Sequence, residues 1–134
     1  MLFRSDGLDQ LGQAIHQRFG RLDVLVHAAA ILGPITPVAH IEPNHWDRIV
    51  AVNLTASYRL IRSVEPLLRA SDRPRAIFLT SGRAVRPKAF WGPYGVTKAG
   101  LEHLVRTWAD ELEQTPVRAV LLDPSVMRDR KSVV

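Results

Sequence analysis

The stretch DVLVHAA, residues 23–29, is a continuous apolar run that ends in small side chains. Short apolar runs of this kind are typical of strands in parallel sheets, which are buried on both faces. A helical repeat of apolar residues from Leu8 to Phe19 precedes the run, and Gly20 is placed to end that helix. The pattern therefore predicts a helix followed by a strand that is covered on both faces.

The same alternation of helix and strand continues outward from this run. Pro43 is placed at the start of a long amphipathic helix that extends to Leu68, and RAIFLT at residues 75–80 follows as a second strand. A third helix opens near Tyr94, and VRAVLLD at residues 117–123 is a third strand. This order predicts an α/β fold with right-handed crossovers and a parallel sheet.

The composition is that of one ordinary globular domain of 134 residues, with no cysteine and a net charge of +5. Disulfides and thiolate metal sites are therefore excluded, and His40 and His45 do not have the spacing of metal ligands. The basic residues are scattered rather than gathered in a stripe, so we expect no nucleic-acid binding. The longest apolar run, residues 24–32, is short for a membrane span, and we recognise no signal peptide, so we expect a cytoplasmic protein.

Polar or small residues follow each predicted strand, at the sheet edge where sites form in such folds. They are residues 27–30, Thr80 with Ser81, and residues 123–125. Tyr94 and Lys98 come shortly after the second strand and lie one helical turn apart, so their side chains leave the same face. A free phenol has a pKa of about 10. An ammonium beside it favours the phenolate and lowers that pKa.

Two further residues complete a predicted proton-delivery site for a carbonyl that becomes an alcohol, or the reverse. Ser81 lies thirteen residues before Tyr94 and could hydrogen-bond the same substrate oxygen. Asn53 lies in an otherwise apolar helix and could hold a water that leads to Lys98. Structural roles are the alternatives: Ser81 as a turn cap, Asn53 as a satisfied buried amide, and His27 as a core histidine.

These residues resemble the pattern of the short-chain dehydrogenase/reductase family. Ser81, Tyr94 and Lys98 have the family's spacing, Asn53 stands upstream in AVNL, and VLVHAAA and DPSV resemble its strand ends. The resemblance covers residues 8–128. It implies a three-layer Rossmann-type parallel sheet, of which this chain would hold three strands and three main helices.

The resemblance also implies a function: hydride transfer between NAD or NADP and a small carbonyl or alcohol. Tyr94 would be the general acid/base, Lys98 would lower its pKa and hold the nicotinamide ribose, and Ser81 would polarise the substrate oxygen. Asn53 would anchor the water of a proton relay. The helices that carry Asn53 and Tyr94 would form the subunit interface of a homodimer or tetramer. The cofactor-binding residues implied are His27, Ala28, Ala29, Ala30, Tyr94, Lys98, Pro124, Ser125 and Val126.

The chain departs from the family pattern at the cofactor site and at both ends. His27 to Ala30 stand where the family has Asn-Asn-Ala-Gly, and Ser125 replaces a glycine. We find neither the glycine-rich pyrophosphate turn nor the last strand, so residues 1–134 are interpreted as a single partial domain that is inactive alone and either poorly soluble or partly unfolded. LFRS at residues 2–5 and DRKSVV at 129–134 can be encoded by the two orientations of a sequencing adapter. Residues 1–5 and 129–134 are therefore expected to be non-native.

Two other functions stay open at this point. One is an isomerase or dehydratase on the same scaffold. The other is a non-catalytic binding or assembly module that keeps the residue pattern without a cofactor site. Binding of NADH or NADPH separates the non-catalytic module from the enzymes.

Overall fold

The computed structural model describes residues 5–126, and its elements follow the predicted order. A π-helical turn, Ala51–Thr55, joins helix Pro43–Val50 to helix Ala56–Arg69, so the long second helix is continuous but changes its hydrogen-bond register. Most of the two segments interpreted as non-native lie outside the described residues. The helices are α1 (Ser5–Phe19), α2 (Pro43–Val50), α3 (Ala56–Arg69) and α4 (Gly92–Glu111), and the strands are β1 (Val24–His27), β2 (Arg75–Leu79) and β3 (Arg118–Leu122).

The three strands form a parallel sheet in the order β1-β2-β3. Val26 of β1 pairs with Ile77 of β2, and Ile77 pairs in turn with Val120 of β3. This arrangement confirms the predicted α/β fold with part of a Rossmann-type sheet. Both crossovers step across the sheet in the same direction, and such crossovers are right-handed in nearly all folds. The helices that follow β1 and β2 therefore lie on the same face.

The core lies between that face of the sheet and the helices. Ala76 and Phe78 of β2 are fully buried against α3 and α4, and Leu8 brings α1 into the same cluster. Full burial of a Leu, Val or Phe side chain contributes roughly 1.5–3 kcal/mol. The buried members of the cluster are Leu8, Leu60, Ile61, Val64, Leu68, Ala76, Phe78, Leu101, Val105, Trp108, Leu112 and Val117.

The opposite face of the sheet is exposed, which corrects the prediction that the strand at residues 23–29 is buried on both faces. Val24 and Val26 are 54% and 58% exposed, and Val120 and Leu122 of β3 are about half exposed. The cause is the direction of the crossovers, which places every helix that packs on the sheet over one face. Residues 5–126 thus provide two layers of the predicted three-layer architecture.

Within residues 5–126, no helix combines the length and apolarity needed to cross a membrane. The same residues contain no group of three or more potential ligand side chains that could hold a metal ion.

Candidate active site

The first two turns of α4 carry Tyr94 and Lys98 on one face. Gly92 and Pro93 begin the helix, where proline costs no hydrogen bond. Lys98 Nζ lies 5.8 Å from the centroid of the Tyr94 ring and donates a 2.9 Å hydrogen bond to the carbonyl oxygen of Leu79. Lys98 is only 4% exposed, and burial lowers the pKa of its ammonium group. The structure therefore brings the predicted pair together at the carboxyl end of β2.

Ser81 lies two residues beyond the end of β2 and caps the 3₁₀ turn Gly82–Ala84. Its Oγ accepts a 3.2 Å hydrogen bond from the backbone N–H of Arg83. The capping role proposed as an alternative is therefore observed. It uses a lone pair of the oxygen, and the hydroxyl keeps its capacity to donate to another group. Ser81 and Lys98 thus meet at the same strand end, because Lys98 is held there by Leu79.

Asn53 lies in the π-helical turn, is 1% exposed, and has its side-chain amide fully bonded. Its Oδ1 accepts from the backbone N–H of Ile31 at 2.8 Å, and its Nδ2 donates to the Ile31 carbonyl oxygen at 2.8 Å. Nδ2 also donates to Thr97 Oγ1 at 3.1 Å. The alternative of a satisfied buried amide therefore describes this side chain, which ties the loop after β1 to α4.

His27, the last residue of β1, is 8% exposed and points into the protein. Its Nε2 lies 2.8 Å from Ser57 Oγ, and its ring meets Phe78 edge to face at a centroid distance of 5.2 Å. Burial, and secondarily the charge of Lys98, lower the pKa of His27, so the ring is neutral at neutral pH. These contacts fit the core-histidine alternative. Ala28 to Ala30, which follow it, are exposed and place only methyl groups at the sheet edge.

Residues 124–126, the other predicted cofactor contacts, follow β3 at the same edge of the sheet. Ser125 has a φ of 61°, in the left-handed region that favours glycine. Its N–H donates to Asp123 Oδ1 at 2.8 Å, which holds the turn. The backbone here therefore has the conformation that glycine would adopt most easily. Val126 is 97% exposed, and Pro124 is partly buried.

Two buried hydroxyl residues in the site were not identified from the sequence. Thr97 is fully buried, accepts from Asn53, and donates to the Tyr94 carbonyl oxygen at 2.9 Å. Ser57 is fully buried between His27 and the Asn53 carbonyl oxygen. A signal for both was available: Thr97 stands directly before Lys98, and Ser57 follows Asn53 by one helical turn.

The aromatic residues before α4 occupy different positions. The Trp91 ring contacts Tyr94 edge to face at 5.8 Å, and Lys88 Nζ lies 4.7 Å from the Trp91 centroid. Trp91 also lines a cavity of about 270 Å³ beside Gly95, on another face of α4 from Tyr94. Phe90 is 51% exposed and has a left-handed φ of 73°.

A family model described as enoyl-(acyl carrier protein) reductase matches residues 4–132 of the chain. The uncharacterized oxidoreductase YciK of Escherichia coli (strain K12) is 33% identical over 110 residues, which make up 82% of this chain and 44% of that protein. The chain spans about half the length of the curated relatives it matches.

Solved structures show the same architecture. The short chain dehydrogenase from Shigella flexneri matches with a TM-score of 0.90 at 30% identity, covering 97% of this chain and 51% of that one. A metagenomic short-chain oxidoreductase in complex with NADP matches with a TM-score of 0.86 at 34% identity. That match covers 92% of this chain and 56% of the other.

Proposed function

Because the chain belongs to the short-chain dehydrogenase/reductase family, we propose that it carries the acid–base centre of an NAD(P)-dependent oxidoreductase for a small carbonyl or alcohol. The observation that carries this proposal is the buried Lys98 ammonium, one turn from Tyr94 and bonded to the Leu79 carbonyl oxygen. A cation there stabilises the negative charge that forms on the Tyr94 oxygen when the phenol gives up its proton.

In the proposed reduction, a bound nicotinamide would supply the hydride to the carbonyl carbon. Tyr94 donates its phenolic proton to the carbonyl oxygen, which Ser81 holds by a hydrogen bond. Lys98 stabilises the phenolate that results, and Asn53 fixes the loop after β1 and would anchor the relay water. Alcohol oxidation runs through the same groups in reverse.

The cofactor fit is proposed for one end of NAD or NADP. The small side chains of Ala28 to Ala30 leave the edge after β1 open, and the left-handed Ser125 turn lies at the same edge after β3. The NADP held by the metagenomic relative supports this placement.

We include a homo-oligomer in the proposal, formed through the outer faces of α3 and α4, where Tyr58 is 51% exposed. We also include a cytoplasmic location.

The test is cofactor binding followed by turnover. A long read of the source DNA across both ends of the gene gives the reading frame to express, and NADH and NADPH are titrated by fluorescence against its product. Binding with carbonyl-dependent oxidation of the nicotinamide is the expected result. Binding with an isomerase or dehydratase reaction and no net oxidation of the nicotinamide would favour that class. Failure to bind either nucleotide would favour the non-catalytic binding module.

A further inference from the structure

A series of buried hydrogen bonds, here called the buried chain, runs from the end of β1 to the first turn of α4. His27 Nε2 lies 2.8 Å from Ser57 Oγ, and Ser57 Oγ donates to the Asn53 carbonyl oxygen at 3.2 Å. Asn53 Nδ2 then donates to Thr97 Oγ1 at 3.1 Å, and Thr97 donates to the Tyr94 carbonyl oxygen at 2.9 Å. The buried chain thus joins β1, the π-helical turn, α3 and α4.

The direction of each bond follows from counting protons. Ser57 has a single hydroxyl proton, and it is used on the Asn53 carbonyl oxygen. His27 must therefore donate to Ser57 through an Nε2–H group, which assigns the Nε2–H tautomer to the neutral ring. Thr97 likewise gives its proton to Tyr94 and accepts from Asn53. Every hydroxyl of the buried chain both accepts and donates.

Burial makes this arrangement costly to rearrange. Ser57 and Thr97 are fully buried, Asn53 is 1% exposed, and His27 is 8% exposed. Within residues 5–126, no buried side-chain nitrogen or oxygen lacks a hydrogen-bond partner. Leaving one such group unpaired costs about 1–3 kcal/mol. Loss of the His27 donor would therefore leave the buried Ser57 oxygen as an unpaired acceptor and free its side chain to leave the rotamer that bonds the Asn53 carbonyl oxygen.

We propose that His27 is a positioning residue, which acts through Ser57 and Asn53 to fix the turn of α4 that holds Tyr94. Asn53 carries the effect because its backbone accepts from Ser57 while its amide holds both Ile31 and Thr97. For catalysis the inference rests on the proposed oxidoreductase function. The tautomer of His27 and its coupling to Ser57 and Asn53 do not depend on that function.

The first test reads the tautomer directly in the wild-type protein. Long-range ¹⁵N–¹H correlation spectra of the His27 ring at neutral pH are expected to show a protonated Nε2 and an unprotonated Nδ1. A ring protonated at Nδ1 alone would reverse the bond to Ser57 and overturn the proposal. No variant is needed, so a failure to fold on mutation does not affect this test.

The second test measures coupling by amide hydrogen exchange at Ile31, whose N–H is bonded to Asn53 Oδ1. His27→Leu removes the donor and is expected to speed exchange there at least tenfold. His27→Gln keeps an N–H donor and should stay within about threefold of wild type. The matched control is Ser63→Ala, which removes a different hydroxyl of α3, bonded to the Leu8 carbonyl oxygen. Equal acceleration in all three variants, or none in His27→Leu, would contradict the coupling.

Kinetics separate this inference from the proposed function. His27→Leu is expected to lower kcat about tenfold with KM within twofold, and His27→Gln is expected to restore most of the loss. Equal kcat in wild type and His27→Leu, in an active enzyme, would overturn the catalytic part. Absence of activity in wild type together with the Nε2–H tautomer and the Ile31 effect would overturn the proposed function and support the positioning role.

Discussion

Lys98 Nζ donates to the carbonyl oxygen of Leu79 at 2.9 Å, so the ammonium is held at the last residue of β2. That contact explains how a buried cation is tolerated, since a strand-end carbonyl replaces part of its lost hydration. Ser81 follows Leu79 by two residues, and Lys98 Nζ lies 5.8 Å from the centroid of the Tyr94 ring. The strand end and the helix therefore position the candidate acid–base pair jointly.

Replacement of Tyr94 by phenylalanine removes the phenolic proton and keeps the ring that contacts Trp91. We expect kcat to fall about a hundredfold to ten-thousandfold, the usual contribution of a positioned acid/base. Nicotinamide affinity should change little. The matched control is Tyr58→Phe, which removes a hydroxyl from an exposed tyrosine on α3. Similar kcat values for the two variants in a steady-state reduction assay would argue against Tyr94 as the proton donor.

Lys98→Met tests the cation separately. We expect kcat to fall by roughly a hundredfold, because the oxygen of Tyr94 loses the neighbouring positive charge as it gives up its proton. Nicotinamide binding should weaken in the same variant. Lys88→Met is the control, since Lys88 is an exposed lysine over the Trp91 ring. An unchanged kcat in Lys98→Met would show that the ammonium takes no part in the proton transfer.

The lowered pKa of His27 predicts a pH-dependent stability with a definite sign. The unfolded chain binds a proton near pH 6.5, whereas the folded ring, buried and facing Lys98, binds it only at lower pH. The unfolded state therefore holds more protons in that window, and the free energy of unfolding falls as the pH falls through it. His27→Gln has no such group, so urea unfolding should show a shallower decline below pH 6.5 than wild type. If the free energy of unfolding declines equally with falling pH in wild type and His27→Gln, the lowered pKa of His27 is contradicted.

The order of elements and the main candidate residues could be predicted from the sequence because each leaves a local signal. Apolar periodicity marked the helices and strands, and the spacing of Ser81, Tyr94 and Lys98 marked the site. Asn53 was recognisable because it is a polar amide in the middle of an otherwise apolar predicted helix.

Other features depend on tertiary contacts and could not be predicted in this way. The contact of His27 with Ser57 joins residues thirty positions apart, and the π-helical turn at Asn53 has no composition signal. The exposure of one sheet face could not be predicted, because the sequence of an apolar strand is the same whether helices cover one face of the sheet or both. Phenylalanine disfavours a left-handed φ, so its sequence gives no signal for the conformation of Phe90. That conformation accompanies a tertiary contact of the loop, in which the Phe90 carbonyl oxygen accepts from the Thr36 N–H.

Gly12 and Gly20 occupy positions that require glycine for two different physical reasons, close packing at Gly12 and backbone conformation at Gly20. A Cβ at Gly12 would lie 2.7 Å from Ser63 Oγ and 2.9 Å from the Ser63 carbonyl oxygen, so α1 and α3 could not pack as closely. We expect Gly12→Ala to lower the free energy of unfolding by roughly 1–3 kcal/mol, despite its better helix propensity. Gly20 has open space around it but a φ of 73°, so Gly20→Ala should cost about 1 kcal/mol through backbone strain alone.

Chemical denaturation with a double mutant distinguishes the two mechanisms. Gly12→Ala should be less costly in a Ser63→Ala background, because the Oγ contact is then absent, whereas the cost of Gly20→Ala should not change. Equal costs in both backgrounds for both glycines would show that the Ser63 side chain is not what requires glycine at position 12, which leaves the contact with the Ser63 backbone.

The exposed sheet face predicts that the chain self-associates through apolar contact. Val26 and Val120 are 58% and 47% exposed on the two outer strands of that face, and Ile77 of β2 lies between them in register. Val26→Thr with Val120→Thr keeps β-branched side chains but makes the face more polar. We expect a higher soluble fraction and less association in sedimentation velocity, with unfolding free energy within about 1 kcal/mol of wild type. The control pair is Val38→Thr with Val85→Thr, exposed valines outside the sheet. If the control pair reduces association equally, the number of exposed apolar side chains governs self-association, wherever they lie, and the sheet face has no special role.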